Sequence, residues 1–248
     1  NAEKQTKVLN EIVSKIIGKK RIPMLIIDEA IEIKNKNKFD AKTAATIGFS
    51  LFGSNHNYLI KNKKIDYDSL NEFLKNYGKN NFLIFGFTSF VYRHLIKDIN
   101  KDKLKFDLSK AILIHGGGWK KMASMNISNL KFKEKLKDFL KIENVYNYYG
   151  LIEQTGSIFF ECQSCGCFNP SEYSDVLIRD KHFNLLPPKK VGYIQLLSLL
   201  PTSYPGHSIL TEDLGEIIQN NCNGCEGKKK FLIHGRVEQS ELRGCSDI

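Results

Sequence analysis

Apolar positions recur at helical spacing over residues 4–17, where Val8, Leu9, Ile12, Val13, Ile16 and Ile17 share one face and Gly18 follows. The spacing predicts an amphipathic helix that stops at the glycine. The run Ile22-Pro-Met-Leu-Ile-Ile27 lacks polar alternation and predicts a buried strand. Leu70, Phe73, Leu74 and Tyr77 stand at i, i+3, i+4 and i+7, so a second helix is predicted over Asp68–Tyr77, with Gly78 beyond it. Phe82–Phe87 reads as a strand and Thr88–Ile96 as the helix after it. Ala111–Ile114 reads as another strand, running towards three consecutive glycines. Phe132, Leu136, Phe139 and Leu140 mark one more helix, and Val145–Tyr149 a further strand. Apolar strands alternating with helices predict an α/β fold, a parallel sheet flanked by helices.

The texture changes after about residue 157. Short strands are predicted at Ile158–Glu161, Asp175–Arg179, Tyr193–Leu199, Glu216–Gln219 and Lys230–His234. Pro187-Pro188, Pro205-Gly206 and Asn223-Gly224 punctuate them. The pattern therefore divides into an α/β subdomain over 1–157, a β-rich subdomain with cysteine knuckles over 158–234, and a tail over 235–248. That tail carries a lone cysteine, Cys245, beside Gly244. Such a cysteine is poorly placed for a core or a metal cage and well placed to carry a cargo.

Six cysteines fall in a chain with no visible export signal, so reduced thiols are expected, in a cytoplasmic setting. Cys162-Gln-Ser-Cys165 and Cys222-Asn-Gly-Cys225 are paired C-x2-C knuckles. Together they offer four thiolates, the closed tetrahedral set of a structural Zn2+ site. Cys167 lies close enough in sequence to replace Cys165 in that set. A closed site leaves no open coordination position, so the metal is assigned to stability and not to chemistry.

The 248 residues are 42% hydrophobic and 26% charged, the balance of a globular protein. No stretch approaches twenty apolar residues, so no membrane-spanning helix is expected. The net charge of +10 raises the class of a basic, zinc-containing nucleic-acid-binding module. Against it, only five of the 37 basic residues are arginine, and the lysines are spread through the chain beside asparagines. Nucleic acid is therefore not the expected partner. ATP, coenzyme A or an acidic protein would also suit the charge.

Four segments carry candidate chemistry. Ile112-Leu-Ile-His-Gly-Gly-Gly-Trp119 is a strand running into Gly116, Gly117 and Gly118, whose backbone a flat ligand can approach closely. The rival reading, an esterase oxyanion loop, needs a G-x-S-x-G elbow that the sequence lacks. The other segments are Tyr149-Gly150-Leu-Ile-Glu153, Leu210-Thr-Glu-Asp213-Leu-Gly-Glu216, and Gly235-Arg236.

In order and spacing these segments resemble the signatures of adenylate-forming enzymes: Tyr-Gly-x-Thr-Glu, Thr-Gly-Asp and the Gly-Arg hinge. Ile152 stands where threonine is usual, and Glu212 where glycine is usual. Further text narrows the match: Gly-Phe-Thr-Ser at 86–89, His-Gly-Gly-Gly-Trp at 115–119, Tyr-Ser-Asp-Val-Leu-Ile-Arg-Asp at 173–180, Ser-Tyr-Pro-Gly-His-Ser-Ile-Leu at 203–210 and Leu-Arg-Gly-Cys-Ser-Asp at 242–247. Over nearly its whole length the chain resembles the acyl-protein synthetase (LuxE) family of bacterial bioluminescence, and more distantly phenylacetate–CoA ligase.

The resemblance implies roles for particular residues. Tyr149, with Gly150, would pack by the adenine of ATP, and Glu153 would help hold its Mg2+. Asp213 would accept both ribose hydroxyls, and Arg236 would meet the ribose and phosphate at a hinge. Cys245 would take a long-chain acyl group from acyl-AMP and pass it to a reductase partner. A phenylacetate-type acyl- or aryl-CoA ligase is the alternative within the superfamily. The family's Ser/Thr/Gly-rich phosphate loop has no counterpart here, nor does the C-terminal domain with a catalytic lysine found in larger relatives. The missing phosphate loop, with the absence of an initial methionine, leads to the expectation that the chain is the C-terminal two-thirds of a longer protein; the missing lysine domain implies that adenylation uses another group or another chain. Phe49, Phe52, Phe85, Phe87 and Phe90 are either acyl-tunnel lining or plain core.

Overall fold

A computed structural model describes residues 2–30, 41–119, 127–154, 156–219, 221–225 and 229–237. The described chain divides into two compact units, one formed by residues 14–147 and the other by residues 2–13 with 148–237.

The first unit follows the predicted alternation. Helix α1 (Ala2–Ile17) ends in it, and β1 (Ile22–Glu29), α2 (Ala41–Ser50), β2 (Gly53–Lys61) and β3 (Lys64–Ile65) follow. Next come α3 (Tyr67–Tyr77), β4 (Phe82–Phe87), α4 (Thr88–Val91), β5 (Ala111–Gly116), α5 (Asn129–Leu140) and β6 (Asn144–Tyr149). The strand order is β3-β2-β1-β4-β5-β6. β1 runs parallel to both β2 and β4, and β4 runs parallel to β5. β3 is antiparallel to β2, so the sheet is mixed rather than wholly parallel.

Consecutive apolar residues in β1, Met24 to Ile27, are all buried, because helices cover both faces of the strand. One face sets Leu25, Ile27, Ile84 and Leu113 against Leu70 and Leu74 of α3 and Phe132 and Leu136 of α5. On the other, Phe85 stacks on Phe49 of α2 with centroids 4.3 Å apart, and Phe49 meets Phe52 edge-on. Phe49, Phe52 and Phe85 are therefore packed core. Asp66 caps α3 by accepting from the Ser69 N–H, and Ser128 caps α5 by accepting from Lys131.

Two features depart from the sequence reading. The helix that starts at Thr88 widens into a π-helix over Tyr92–Asp98, which places His94 inside and beside Asp98. Helix α2 and strand β2 were not legible. β2 opens Gly-Ser-Asn-His-Asn, polar text that hides a strand on one side of β1.

The second unit is an antiparallel β structure. It contains β7 (Phe159–Glu161), β8 (Phe168–Asn169), β9 (Ser174–Arg179), β10 (Gly192–Ser198), β11 (Ser208–Ile218) and β12 (Lys230–Arg236), in the order β7-β8-β12-β11-β10-β9. Tyr148 and Tyr149, which close β6, pair with Phe160 and Phe159. Alternate residues of β9 and β10 (Val176, Ile178, Ile194, Leu196) point into one core with Phe159, Phe168 and Phe231. The first turns of α1 belong here: Lys4 Nζ donates to the Leu199 carbonyl, and Tyr173 Oη donates to Glu11. β11 is longer than expected. It begins at Ser208, not at Glu216, and takes in the acidic segment Glu212–Asp213.

Candidate functional site

The second unit brings Tyr149, Asp213 and Arg236 together. β11 and β12 pair so that Asp213 faces Arg236 across the ladder. Arg236 Nε lies 3.4 Å from Asp213 Oδ1, and the Tyr149 phenol donates to Oδ2 at 2.6 Å. Thr211 accepts from the Asp213 N–H and donates to the Ile194 carbonyl, which anchors the carboxylate's backbone to β10. Burial pushes the Tyr149 phenol well above its usual range, and the adjacent Asp213 charge pushes it further. Tyr149 is thus a permanent donor, and Asp213 offers two oxygens at a partly exposed position.

The ladder carries a bulge at this point. Leu214 pairs with Gly235, but Gly215 pairs with Ile233, so His234 is left over on β12. Gly235 absorbs the bulge at φ +132, a conformation that side-chain-bearing residues rarely take. The bulge sets the direction of Arg236. The displaced His234 turns to Glu216, 3.0 Å away.

Glu153 sits exposed on a 3-10 turn, Ile152–Gln154, which begins two residues after Gly150. Its neighbour Gln154 is fully buried and donates to the Leu196 and Gly206 carbonyls. Gln154 holds the turn so that Glu153 faces solvent. Neither Gln154 nor Thr211 was singled out from sequence, since a buried amide or hydroxyl bonded to backbone leaves no motif.

In the first unit, β5 ends at Gly116 and the chain turns through Gly117 and Gly118, at φ +79 and +68. His115, immediately before, is buried and bonded through Nδ1 to Thr88 Oγ1 at 2.9 Å. Thr88 Oγ1 also donates to the Gly116 carbonyl. A hydroxyl has one proton, so Thr88 accepts from an Nδ1–H tautomer of His115 and passes its own proton bond to Gly116. Nε2 is then a bare lone pair, with no partner among the described residues. Burial, assisted by the Lys133 charge, lowers the His115 pKa to about 3. The imidazole is a neutral strut behind the glycine turn.

The knuckle cysteines also converge. The Sγ atoms of Cys162, Cys165, Cys222 and Cys225 all lie within 4.8 Å of one another. Cys162 and Cys222 are 3.7 Å apart, and Cys165 and Cys225 3.4 Å. Cys167 stays outside, buried, with its thiol towards the Cys165 carbonyl. Burial pushes Cys167 up to about 12. Burial also works against a Cys162 thiolate, but the N–H groups of Cys165 and Ser164 and the thiols of Cys225 and Cys222 bring it down to about 7. Cys245 lies outside the described residues.

Residues 1–248 match the family described as acyl-protein synthetase, LuxE. The chain belongs to this family. No curated protein matches it. Among solved structures it is similar to an open conformation of 2-hydroxyisobutyryl-CoA ligase in complex with 2-HIB-AMP and CoA, at TM-score 0.65 and 12% identity over 94% of this chain and 53% of that one. It is also similar to the luciferase-like enzyme from the nonluminescent Zophobas morio mealworm, at TM-score 0.58 and 14% identity over 96% and 53%. ATP-bound MatB from Rhodopseudomonas palustris matches at TM-score 0.55 and 14% identity over 94% and 44%. This acyl-protein synthetase family member therefore has the fold of adenylate-forming enzymes, and it spans about half the length of the solved structures it matches.

Proposed function

We propose that the protein activates a long-chain fatty acid with ATP and loads it on its own Cys245 for transfer to a reductase partner. The observation that carries the reading is the Tyr149–Asp213–Arg236 constellation, set in a chain of the acyl-protein synthetase family. Asp213 is assigned to the ribose hydroxyls, Arg236 to ribose and phosphate, and Tyr149 with Gly150 to the adenine side. Gly116, Gly117 and Gly118 are assigned to close backbone approach by the nucleotide. Glu153, an exposed carboxylate on an anchored turn, suits Mg2+, which prefers oxygen ligands. Zn2+ is assigned to the four-cysteine cluster, away from the chemistry.

The chemistry runs in two steps. A fatty carboxylate oxygen attacks the α-phosphorus of ATP and pyrophosphate leaves, giving acyl-AMP. The Cys245 thiolate then attacks the acyl carbonyl and AMP leaves, giving a thioester. Arg243, two residues before the cysteine, favours the thiolate electrostatically. No helix of the described residues is long and apolar enough to cross a membrane. An acyl-CoA ligase reading is favoured by the similarity to a ligase held with an acyl-AMP and CoA.

The deciding experiment is the intact mass of the full-length protein after incubation with ATP, Mg2+ and myristate, with and without hydroxylamine. The expected result is a hydroxylamine-labile acyl increment that maps to Cys245. Pyrophosphate released only when CoA is added, with no increment on the protein, would replace the self-acylation reading with the CoA ligase.

A further inference from the structure

The four-cysteine cluster lies at the tips of two neighbouring hairpins. Cys162 and Cys165 occupy the turn between β7 and β8, and Cys222 and Cys225 the connection between β11 and β12. The two strands that flank the first knuckle, β7 and β8, have only short ladders. β7 has three residues and β8 two, and β8 meets β12 through one residue pair, Phe231 with Phe168. So few ladder bonds are marginal by themselves.

The turns are shaped around sulfur. Cys162 N–H donates to the Cys167 carbonyl at 2.8 Å and Gly166 N–H to the Cys162 carbonyl at 2.9 Å, which folds the first knuckle back on itself. Cys225 N–H donates to the Cys222 carbonyl at 3.0 Å in the second. Gly224 packs closely on the first knuckle: a Cβ there would lie 2.7 Å from Ser164 Oγ and 2.9 Å from Cys162 Sγ. Thiolates at about 2.3 Å from a tetrahedral Zn2+ stand about 3.8 Å from one another. The Cys162–Cys222 and Cys165–Cys225 separations of 3.7 and 3.4 Å are close to that edge.

The same short strands build the floor under Tyr149. Phe159 of β7, Phe168 of β8 and Phe231 of β12 each contact the Tyr149 ring, with centroids 6.1, 6.3 and 6.3 Å away. Phe231 in turn meets Phe159 at 5.5 Å and Phe168 at 5.7 Å. Tyr149 then donates to Asp213. The strands that carry or adjoin the thiols thus also carry the rings that pack on Tyr149, whose phenol reaches the carboxylate.

We infer that Cys162, Cys165, Cys222 and Cys225 bind one Zn2+ that staples the two hairpin tips, and that this ion holds the aromatic floor on which Tyr149 is aimed at Asp213, so that nucleotide affinity depends on the metal. The second half of the inference rests on the nucleotide reading of Tyr149 and Asp213; the staple does not. The four thiols lose their protons on binding, and no electron is transferred.

The test uses the full-length protein purified under reducing conditions. Zinc content, the visible spectrum of the Co2+-substituted form, amide exchange of β7, β8 and β12, and ATP affinity are measured before and after zinc removal. Expected are one zinc per chain, the Co2+ bands of tetrahedral thiolate coordination, faster exchange in those strands without metal, and ATP affinity about ten-fold weaker. Zinc re-addition should restore all of these. Cys225→Ser should lose the zinc, and Cys167→Ser should keep it; if Cys225→Ser does not fold, the metal-stripped wild type carries the comparison. No metal with four free thiols, or a mass lower by the four thiol hydrogens of two disulfides, would overturn the staple. Zinc present with exchange unchanged on removal would overturn its structural role. Exchange that responds while ATP affinity does not would overturn the coupling. A zinc-dependent floor in a protein that binds no ATP in either form supports the staple and counts against the nucleotide site.

Discussion

Tyr149 and Asp213, 64 residues apart in sequence, are joined by a 2.6 Å hydrogen bond, and Arg236 faces the other carboxylate oxygen. Both Asp213 oxygens therefore have partners, and ribose hydroxyls would exchange with these donors. Asp213→Ala removes the carboxylate to which the buried Tyr149 phenol donates. The expected cost is about 1–3 kcal/mol in stability, from chemical denaturation, with ATP affinity weaker by about ten-fold or more. Tyr149→Phe keeps the ring on its three phenylalanines and should weaken ATP by less than about ten-fold. Equal ATP affinity in Asp213→Ala and wild type would remove Asp213 from the ribose role.

Gly235 turns a bulge into a direction for Arg236. At φ +132 a side chain is strained, so Gly235→Ala should cost about 1–3 kcal/mol of stability. Relief of that strain would flatten the bulge and swing Arg236 away from Asp213. ATP affinity of Gly235→Ala should then fall as far as that of Arg236→Ala, measured by titration calorimetry. Wild-type affinity in Gly235→Ala, with Arg236→Ala impaired, would show that the bulge does not aim the arginine.

The alternating strands and helices of the first unit were legible because β1, β4 and β5 are apolar on both faces and α3 and α5 carry an i, i+3, i+4 stripe. β2 was not, since Ser54, Asn55, His56 and Asn57 break the apolar pattern that marks a strand. The length of β11 was hidden by its acidic centre, which reads as a turn until Asp213 is seen bonded to Tyr149 and facing Arg236. The C-x2-C pairs announced a thiol cluster, but only folding selects Cys165 over Cys167 for it. Thr88, Gln154 and Thr211 act through backbone carbonyls, and such bonds leave no spacing in a sequence.

His115 gives the fold a pH dependence with a definite sign. Its pKa is about 3 in the folded protein, against 6.5 for a free imidazole. Between these values the unfolded chain binds the proton and the folded one does not, so stability rises with pH through the window. The contribution is present in full above about 6.5 and is lost as pH falls towards about 3, at up to about 1.4 kcal/mol per pH unit. Burial lowers His94 as well and adds to the same trend. His115→Asn retains a side-chain amide for Thr88 and removes the titration. Its urea unfolding free energy, followed from about pH 7.5 to about pH 4.5, should fall less steeply than that of wild type. An unchanged slope would mean that His115 is protonated in place.

Adenylation and thioester formation are separable steps in the proposed reaction, and Cys245 enters only the second. Adenylation requires the nucleotide residues, and its equilibrium is read by exchange of labelled pyrophosphate into ATP in the presence of myristate. Cys245→Ser in the full-length protein should therefore retain exchange within about three-fold of wild type, a change of about 0.65 kcal/mol. The same variant should carry no hydroxylamine-labile acyl group, because a serine hydroxyl is a far weaker nucleophile than a thiolate and any ester it formed would resist neutral hydroxylamine. Asp213→Ala should show the reverse order of loss, with exchange and labelling failing together, since no acyl-AMP forms for Cys245 to attack. Exchange lost in Cys245→Ser would place the cysteine in the first step. Wild-type labelling in that variant would assign the thioester to another of the cysteines.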